Sequence, residues 1–411
     1  MDKLAAMNME RTERTGTPRM APPRVAPPRM AIVHEWLTTL GGSELVLKEM
    51  LAVYPQADLF ALVDVMSADD REALGLTGRT VRTTWMQHVP GIARHYRRLL
   101  PLMPGAVRGH DLRGYDVVIS NTHAVSHRVR MSAGAVHLVH CCSPMRYAWD
   151  LREQYLAEAG LDRGITGATA RAMLEWMRRG DERAAQLPQA YAGISRYIGQ
   201  RIARCYGREA TIIYPPVDVE YFTPGGAGCG VRGVEDQFYL AASRMVPYKR
   251  LPLIAEAFSR LLPDRELVII GDGPEMGRVR AAAGANVRVM GAQSREVLRD
   301  HLRRARAFVF AADEDFGILP VEAQACGTPV IALGVGGARE TVRDGETGLF
   351  FGEQTAEAIA AAVLRFEEGP EFTVAACRAN AEKFSVARFR REFRAWVEGE
   401  ITASTTLLRS P

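Results

Sequence analysis

The sequence predicts an α/β protein with two doubly wound, Rossmann-like halves that face each other across a deep cleft. Three observations support this fold class: short apolar runs alternate with helical patterns, the alternation starts twice, and a glycine-rich segment separates the two series. The 411 residues are enough for two domains with separate cores. In such proteins, ligands bind at the carboxyl ends of the parallel strands and in the cleft between the domains.

The composition is that of an ordinary cytoplasmic protein. The formal net charge is +4, which is too small to make nucleic acid the main partner. The 6 cysteines lack the spacing of metal ligands or of a redox C-x-x-C motif, so reduced thiols in the cytoplasm are predicted. No apolar stretch is long enough to span a membrane, and the N-terminus lacks the apolar segment of a signal peptide.

The predicted boundaries follow the chain in order. Residues 1–29 are rich in Arg, Pro and Thr and are predicted to be a disordered tail, and the first domain covers 30–222. Residues 223–236 contain the glycine-rich linker, and the second domain covers 237–384. The apolar spacing of 385–401 predicts an amphipathic terminal helix.

The first domain begins with a strand and a glycine-containing turn. Met30–His34 is predicted to be a buried strand, and Gly41 and Gly42 precede a helix over Leu45–Tyr54. A glycine pair at a strand-to-helix turn lets backbone amides approach a phosphate, whereas a plain tight turn with Ser43 as the helix cap is the alternative. Further strands are predicted at 59–63, 116–120 and 136–139.

A basic segment, Ala93–Val107, interrupts these strands. It fits either a helix that lies on an anionic membrane surface or a core-packed helix with a solvated basic face. The packed helix is favoured, broken at Pro101 and Pro104.

The loop that follows the strand at Val136 concentrates aromatic rings, a cation and a thiol. This mixture at the carboxyl end of a strand suits recognition of a polyhydroxylated molecule, although single aromatic residues more often complete a core. The side chains concerned are His140, Cys142, Arg146, Tyr147 and Trp149.

The second domain repeats the alternation, and its charged residues lie at the turns. Strands are predicted at 238–243, 266–271, 287–291, 307–311 and 328–332. Arg244 and Lys249 follow the first of these strands, and two cations five positions apart can neutralise a diphosphate. Solvated surface cations are the alternative. Gly271-Asp272-Gly273 lacks the third glycine of a dinucleotide fingerprint and is interpreted as a turn, which weakens a dehydrogenase hypothesis.

Two carboxylates, Glu314 and Glu322, flank one strand-to-helix turn and are expected to face the same crevice. Asp313 and Asp315 form a D-x-D pattern that a metal could use. Acids at a helix entrance more often serve as caps and as partners of the helix dipole, so no metal site is predicted.

Taken together, these motifs resemble a known family. Arg244 and Lys249, then Glu314 with Glu322 around Phe316-Gly317, then the turn 334–340, resemble the C-terminal half of glycosyltransferase family 4, whose members are retaining, nucleotide-sugar-dependent enzymes of the GT-B fold. The resemblance covers roughly residues 30–395. Four shorter stretches look like the branch of GDP-mannose-dependent mannosyltransferases that make O-antigen-type polysaccharides: 145–150, 214–218, 246–250 and 314–318.

The resemblance implies roles for the residues that match. Arg244 and Lys249 would hold the donor diphosphate, Glu322 would bind the ribose, and Glu314 would bind the donor sugar. The backbone of Phe316, Gly317, Ile318 and Leu319 would assist Glu314, and Gly41 and Gly42 would close on the phosphates from the other side. The first domain would bind the acceptor, the second would bind the nucleotide sugar, and the terminal helix would cross back onto the first domain. No cofactor and no metal are implied, because the two cations stabilise the leaving group.

One position departs from the family pattern. A histidine often stands two residues before the proline of the Met145 loop, where this chain has Cys142. His140 is close by and is therefore the predicted catalytic contact to the reacting sugar, with Cys142 as the alternative. Cys142, Arg146, Tyr147 and Trp149 are predicted on the acceptor side.

The predicted function is transfer of a hexose, with mannose from GDP-mannose favoured, to a glycan or a lipid-linked acceptor in the cytoplasm or at the cytoplasmic face of the inner membrane. Two alternatives remain open. One is a sugar-nucleotide epimerase or hydrolase of the same two-domain fold, and the other is a sugar-nucleotide-binding protein without catalytic activity. The presence of both cations and both carboxylates disfavours the binding protein.

Overall fold

The computed structural model describes residues 27–158, 160–225, 238–369 and 371–409. The predicted tail, except for residues 27–29, lies outside the described residues, and so does most of the predicted linker, 226–236.

The N-terminal half is built on a seven-stranded sheet whose neighbouring strands all pair in parallel. Its order is β3-β2-β1-β4-β5-β6-β7, and the strands are β1 (Met30–His34), β2 (Asp58–Ala61), β3 (Val81–Thr83), β4 (Val117–Thr122), β5 (Val136–Cys141), β6 (Ala190–Gly193) and β7 (Thr211–Ile212). The described helices of this half are α1 (Gly42–Val53), α2 (Ala68–Ala73), α3 (Ile92–His95), α4 (Met103–Val107), α5 (Arg152–Glu158), α6 (Gly164–Ala184) and α7 (Arg196–Tyr206).

The C-terminal half contains a second parallel sheet, of six strands in the order β10-β9-β8-β11-β12-β13. Its strands are β8 (Tyr239–Ala242), β9 (Leu267–Ile270), β10 (Val287–Gly291), β11 (Phe308–Phe310), β12 (Val330–Leu333) and β13 (Gly348–Phe351). The described helices are α8 (Leu251–Leu261), α9 (Met276–Ala282), α10 (Arg295–Arg304), α11 (Ile318–Ala325), α12 (Ala338–Thr341), α13 (Ala356–Glu368), α14 (Val374–Glu382) and α15 (Val386–Arg409).

The predicted fold class is confirmed, since two parallel sheets with helices on both faces form the molecule. Sequence patterns missed the edge strands β3, β7 and β13. Strand β3 has only three residues, and its central Arg82 is exposed, so it carries little apolar signal. Strand β13 starts at Gly348 after a turn-like sequence, yet a β-carbon at Gly348 would lie 1.9 Å from the Val330 carbonyl oxygen, so the glycine is required by close strand pairing.

The terminal helix α15 packs against the N-terminal half. Phe389, Phe393 and Val397 are fully buried in a cluster that includes Met50 of α1. The guanidinium of Arg390 donates to Glu49 at 2.6 Å. Within the described residues, the last helix therefore lies against the N-terminal half and not against the half that precedes it in the chain.

The basic segment packs as the favoured alternative predicted. It forms α3, a 3-10 helix over Tyr96–Leu102 and α4, with Pro101 inside the 3-10 helix. Tyr96, Met103, Ala106 and Val107 are buried in the core of the first half, whereas Leu102, Arg94, Arg97 and Arg98 are exposed. Among the helices of the described residues, none combines the length and apolarity that a membrane crossing requires.

Candidate active site

The candidate site lies where the carboxyl ends of the two sheets face each other. A β-carbon built on Gly42, at the start of α1, would lie 3.1 Å from Cδ1 of Ile318, at the start of α11. The structure thus brings the Gly41–Gly42 turn of the first half against the 316–319 turn of the second half. A side chain at position 42 would therefore press against Ile318.

The 316–319 turn is shaped by Gly317. Its φ of +88° lies in the left-handed region that favours glycine, and this conformation starts helix α11 at Ile318. The first amides of a helix have no intrahelical acceptor. The backbone N–H groups of Ile318 and Leu319 are therefore suited to bind oxygens of a ligand.

Lys249 and Glu314 meet at this edge of the sheet. Strands β8 and β11 are neighbours, so the turns that follow them are adjacent, and the Lys249 ammonium contacts the Glu314 carboxylate. Their side chains are 13% and 15% exposed. Burial lowers the pKa of Lys249, and the nearby Arg146 and Arg244 also lower it, whereas Asp315 raises it.

Arg244 is exposed at the end of β8, and its guanidinium has no hydrogen-bond or ion-pair partner within the described residues. The backbone beside it rests on the Gly271–Gly273 turn, where a β-carbon at Gly271 would lie 1.8 Å from the Ser243 carbonyl oxygen. The amide of Met245 donates to the Asp272 carbonyl at 2.8 Å. This turn therefore supports the cation-bearing loop, which agrees with its interpretation as a turn.

Glu322 lies on α11 and is 8% exposed. Burial raises the pKa of its carboxyl group to about 7, and Arg295 only partly opposes this shift. The carboxyl group therefore titrates near neutral pH, where a bound ligand can shift it between its two protonation states.

The glycine turn after β12 supports the same region. A β-carbon at Gly337 would lie 2.2 Å from Cα of Phe316, and one at Gly336 would lie 2.4 Å from the Glu314 carbonyl oxygen. The Gly337 amide donates to that carbonyl at 2.7 Å. The two turns therefore pack backbone to backbone, which requires glycine at both positions.

The predicted contact of His140 with the reacting sugar needs a correction. The strand β5 extends to Cys141, two residues beyond the predicted end, so His140 lies inside the sheet and is fully buried. Its ring packs edge-on against Phe389 and Phe393 of α15, with centroids 6.1 and 6.3 Å away. Burial lowers the pKa of His140 to about 3, so the ring is neutral. It cannot contact a sugar in the cleft.

His140 belongs instead to a buried hydrogen-bond network centred on Asn121. The Asn121 amide nitrogen donates to the Ser43 carbonyl at 3.0 Å, which fixes the amide orientation because a carbonyl can only accept. The same nitrogen faces Nδ1 of His34 at 3.2 Å, so His34 carries its proton on Nε2, which lies 3.3 Å from Glu44. The network therefore holds the Gly41–Gly42 turn from behind.

Cys142 joins this network from the cleft side. Its thiol donates to Oδ1 of Asn121 at 3.3 Å, beside the His140 contact at 3.2 Å. Burial raises the pKa of Cys142, so the thiol stays neutral. Of the two alternatives, Cys142 is partly exposed, whereas His140 is fully buried.

The remaining acceptor-side candidates differ in their surroundings. The Trp149 indole donates to the buried Asp181 at 3.0 Å, and Arg178 covers its ring at 5.0 Å, so Trp149 anchors the loop and packs in the domain. Arg146 reaches across the cleft to Asp315 of the other half. Tyr147 is partly buried beside Tyr155, and no described group bonds to its hydroxyl.

Sequence reasoning missed His123, which follows β4 at the same edge. Its ring packs on Trp36, with centroids 4.7 Å apart. Glu35 holds its loop, because Oε1 of Glu35 accepts the amides of Ala124, Val125 and Ser126 at 2.8, 2.8 and 3.0 Å. Burial lowers the pKa of His123, so the ring is neutral. The polar run Asn121-Thr122-His123 at a strand end was the available signal.

The described residues contain no group of three or more His, Cys, Asp or Glu side chains arranged to hold a metal ion. Asp315 of the D-x-D pattern is bound by Arg146 and Arg201.

Comparison with solved structures defines the fold. The chain superposes on Anabaena HepE, crystallised with UDP and glucose, with a TM-score of 0.67 over 90% of this chain and 100% of that one, at 18% identity. It also matches sucrose-phosphate synthase from Thermosynechococcus elongatus, with a TM-score of 0.62 over 93% and 98%, at 17% identity. The fold is GT-B, with two parallel-sheet α/β domains.

Sequence comparison adds the class of the C-terminal half. Residues 231–384 match the family model described as glycosyl transferases group 1. The D-inositol 3-phosphate glycosyltransferase of Geodermatophilus obscurus is 34% identical over 44% of this chain and 45% of its own length. That of Kribbella flavida is 28% identical over 71% and 75%.

A third relative is the GDP-mannose-dependent alpha-(1-6)-phosphatidylinositol monomannoside mannosyltransferase of Mycolicibacterium smegmatis, which is 34% identical over 41% of this chain and 50% of its own length. The chain thus spans about half the length of two of these three relatives.

Proposed function

We propose that this chain is a retaining glycosyltransferase that moves a hexose, with mannose from GDP-mannose favoured, to a glycan or lipid-linked saccharide. The observation that carries the proposal is the cluster of Arg244, Lys249 and Glu314 opposite the Gly41–Gly42 turn. The mannosyltransferase relative supports the donor, and the inositol-phosphate relatives support a polyhydroxylated acceptor. Action in the cytoplasm or at the inner face of its membrane is part of the proposal.

The diphosphate would lie between the two halves. Arg244 would supply a cation without an internal partner, and Lys249 would supply a second. Departure of the nucleotide leaves negative charge on phosphate, and preorganised cations in a closed cleft stabilise that charge more in the transition state than in the ground state. The cations would therefore carry the leaving-group chemistry, and no metal is proposed.

The contact between Lys249 and Glu314 is suited to an exchange of partners on donor binding. When a donor binds, its phosphate would bind Lys249 and its sugar hydroxyls would bind Glu314, so neither buried charge is left without a partner. The first amides of α11 would bind further donor oxygens. Glu314 would thus position the sugar.

The proposed reaction keeps the configuration at the anomeric carbon. The bond from C1 to the phosphate oxygen breaks, the acceptor oxygen bonds to C1 from the same face, and the acceptor's proton passes to the departing phosphate. A covalent carboxylate intermediate would be the alternative route to retention. We propose the front-face route, which the resemblance to retaining glycosyltransferases implies, with Glu314 engaged by the sugar hydroxyls.

A donor panel tests this function. The purified chain is incubated with GDP-mannose, other GDP-sugars and UDP-sugars, with and without lipid-linked and free glycans, and released nucleotide and products are measured. Acceptor-dependent release of GDP with formation of a mannosylated product is expected. Release without acceptor would favour the hydrolase or epimerase, and binding without turnover would favour the binding protein.

Nucleotide binding is expected to release protons through Glu322. Its carboxyl group has a pKa raised to about 7, and ribose hydroxyls donate to the ionised form, so binding lowers this pKa. Affinity should then rise as the pH increases through 7. Calorimetric titration of GDP at pH 6.5, in two buffers of different ionisation enthalpy, measures the released protons.

Wild type and the control Glu296→Gln, an exposed acid on α10, should both release protons, whereas Glu322→Gln should release fewer. Equal observed enthalpies for the wild type in both buffers would contradict the ribose contact.

A further inference from the structure

Two acids of the C-terminal half, Asp315 and Glu340, cross the interface between the domains. Asp315 lies in the turn that carries Glu314, Glu340 lies in the short helix α12 after the glycine turn, and each is bound by groups of the N-terminal half. The groups involved are called the interdomain clasp: Asp315, Glu340, Arg146, Ser195, Arg201 and Tyr214.

Asp315 uses all three of its oxygens in the clasp. Arg146 donates to Oδ2 from Nη2 at 2.5 Å and from Nε at 3.1 Å. Arg201 donates to Oδ1 at 3.2 Å, and the Ser195 hydroxyl donates to the backbone carbonyl at 2.6 Å. The Asp315 side chain is 13% exposed, so water screens these charges weakly.

Glu340 binds the start of helix α7. Its carboxylate accepts the backbone amides of Arg196 and Tyr197 at 2.8 and 2.9 Å, which are the first two amides of that helix. The Tyr214 hydroxyl donates to the same carboxylate at 3.0 Å. An acid at a helix N-terminus satisfies free amides and complements the helix dipole.

The position of Asp315 in the chain connects the clasp to the donor site. It stands between Glu314, which contacts Lys249, and Phe316, where the amide-bearing turn begins. The Gly337 backbone clamps the same turn from the other side. A rotation of the N-terminal half would therefore pull on the turn that positions Glu314.

Arg146 brings the clasp close to Lys249 as well. Its guanidinium lies 5.5 Å from the centre of the Tyr248 ring, and the Lys249 ammonium lies 5.2 Å from the same centre. Asp315 is the only acid among the described residues that binds Arg146. Arg201, in contrast, also binds Asp150 at 2.6 Å and would keep a partner without Asp315.

We propose that Asp315 is a positioning residue that couples closure of the two domains to the placement of the Lys249–Glu314 pair. Arg146 is the group through which it acts. Asp315 itself touches neither donor nor acceptor. Its effect on turnover rests on the proposed function, but its effect on domain arrangement does not.

The test compares four variants of the full chain: Asp315→Asn, Arg146→Gln, their double mutant, and the control Asp300→Asn. Asp300 is an exposed acid that pairs with Arg303 inside one domain. Small-angle X-ray scattering measures the radius of gyration with and without GDP, and donor kinetics give kcat and KM separately. Thermal unfolding confirms that each variant is folded.

Both single variants should have a larger radius of gyration than the control, and GDP should bring it back toward the wild-type value. Each should lower donor kcat/KM at least tenfold, and the double mutant should be no worse than the more impaired single variant, because both changes remove the contact between Asp315 and Arg146. Arg146→Lys, which keeps the charge, should recover part of the loss.

Scattering identical to the control in both single variants, or losses that multiply in the double mutant, would overturn the coupling. The scattering experiment needs no turnover. A chain without transferase activity that still opens in Asp315→Asn would refute the proposed function and support the clasp.

Discussion

Lys249→Ala is expected to lower donor kcat/KM at least tenfold, and Arg244→Ala is expected to do the same. Each change removes a charge-assisted bond to the leaving diphosphate, which contributes about 1.5 to 3 kcal/mol, or roughly ten- to hundredfold in rate. Lys249→Ala also leaves the Glu314 carboxylate, 15% exposed, without its cation. Steady-state kinetics with the donor selected by the panel measure both losses.

The control for these variants is Lys383→Ala. Lys383 is an exposed lysine of the same half whose ammonium donates to the Asn380 side chain at 3.4 Å. It should keep wild-type kinetics. Near-normal kinetics in both Lys249→Ala and Arg244→Ala would remove the diphosphate assignment.

Gly337→Ala is expected to lower kcat/KM at least a hundredfold and to lower the melting temperature. The backbone at Gly337, with φ of −65°, would accept alanine, but the added β-carbon would lie 2.2 Å from Cα and 2.5 Å from N of Phe316. These are backbone atoms and cannot rotate away, so the turn that carries Glu314 must shift. Overpacking of this kind costs about 1 to 3 kcal/mol of stability.

Gly352→Ala is the matched control, because no atom lies within 4 Å of a β-carbon at that position. It should leave both activity and melting temperature unchanged. Kinetics and thermal unfolding of the two variants separate the clash from a general effect of glycine replacement. A fully active Gly337→Ala enzyme with a wild-type melting temperature would show that the two turns need not touch.

Adjacent strand ends were the part of the site that sequence patterns could predict. Arg244 and Lys249 follow one strand and Glu314 follows another, and the strands β8 and β11 proved to be neighbours in the sheet. Parallel strands with apolar sequences place their following turns at one edge. The association of Lys249 with Glu314 is a consequence of that rule.

The error at His140 shows what such sequence patterns cannot predict. An apolar run indicates that a strand exists, but it does not locate the last residue that pairs with a neighbour. Strand β5 pairs with β4 as far as Cys141, which places His140 in the interior. The histidine at the strand end is His123, and its loop is held by Glu35, 88 residues earlier in the chain.

Asp315 illustrates the same limit of sequence patterns, here for partners that are distant in the chain. Its neighbours in the chain suggested a helix cap or a metal ligand, whereas its partners in the structure are Arg146 and Arg201, which lie 169 and 114 positions away. No local pattern contains information about such partners.

The sequence by itself determined the two-domain α/β class, the strand ends that carry charge, and the glycine turns. These features depend on hydrophobic periodicity and backbone sterics, which act within a few residues. Only the tertiary structure decided which residues face the cleft, that Gly42 meets Ile318, and that Asp315 joins the two domains. Those contacts depend on how two separately folded sheets are oriented, and that orientation is set by packing and charge pairing between residues far apart in the chain.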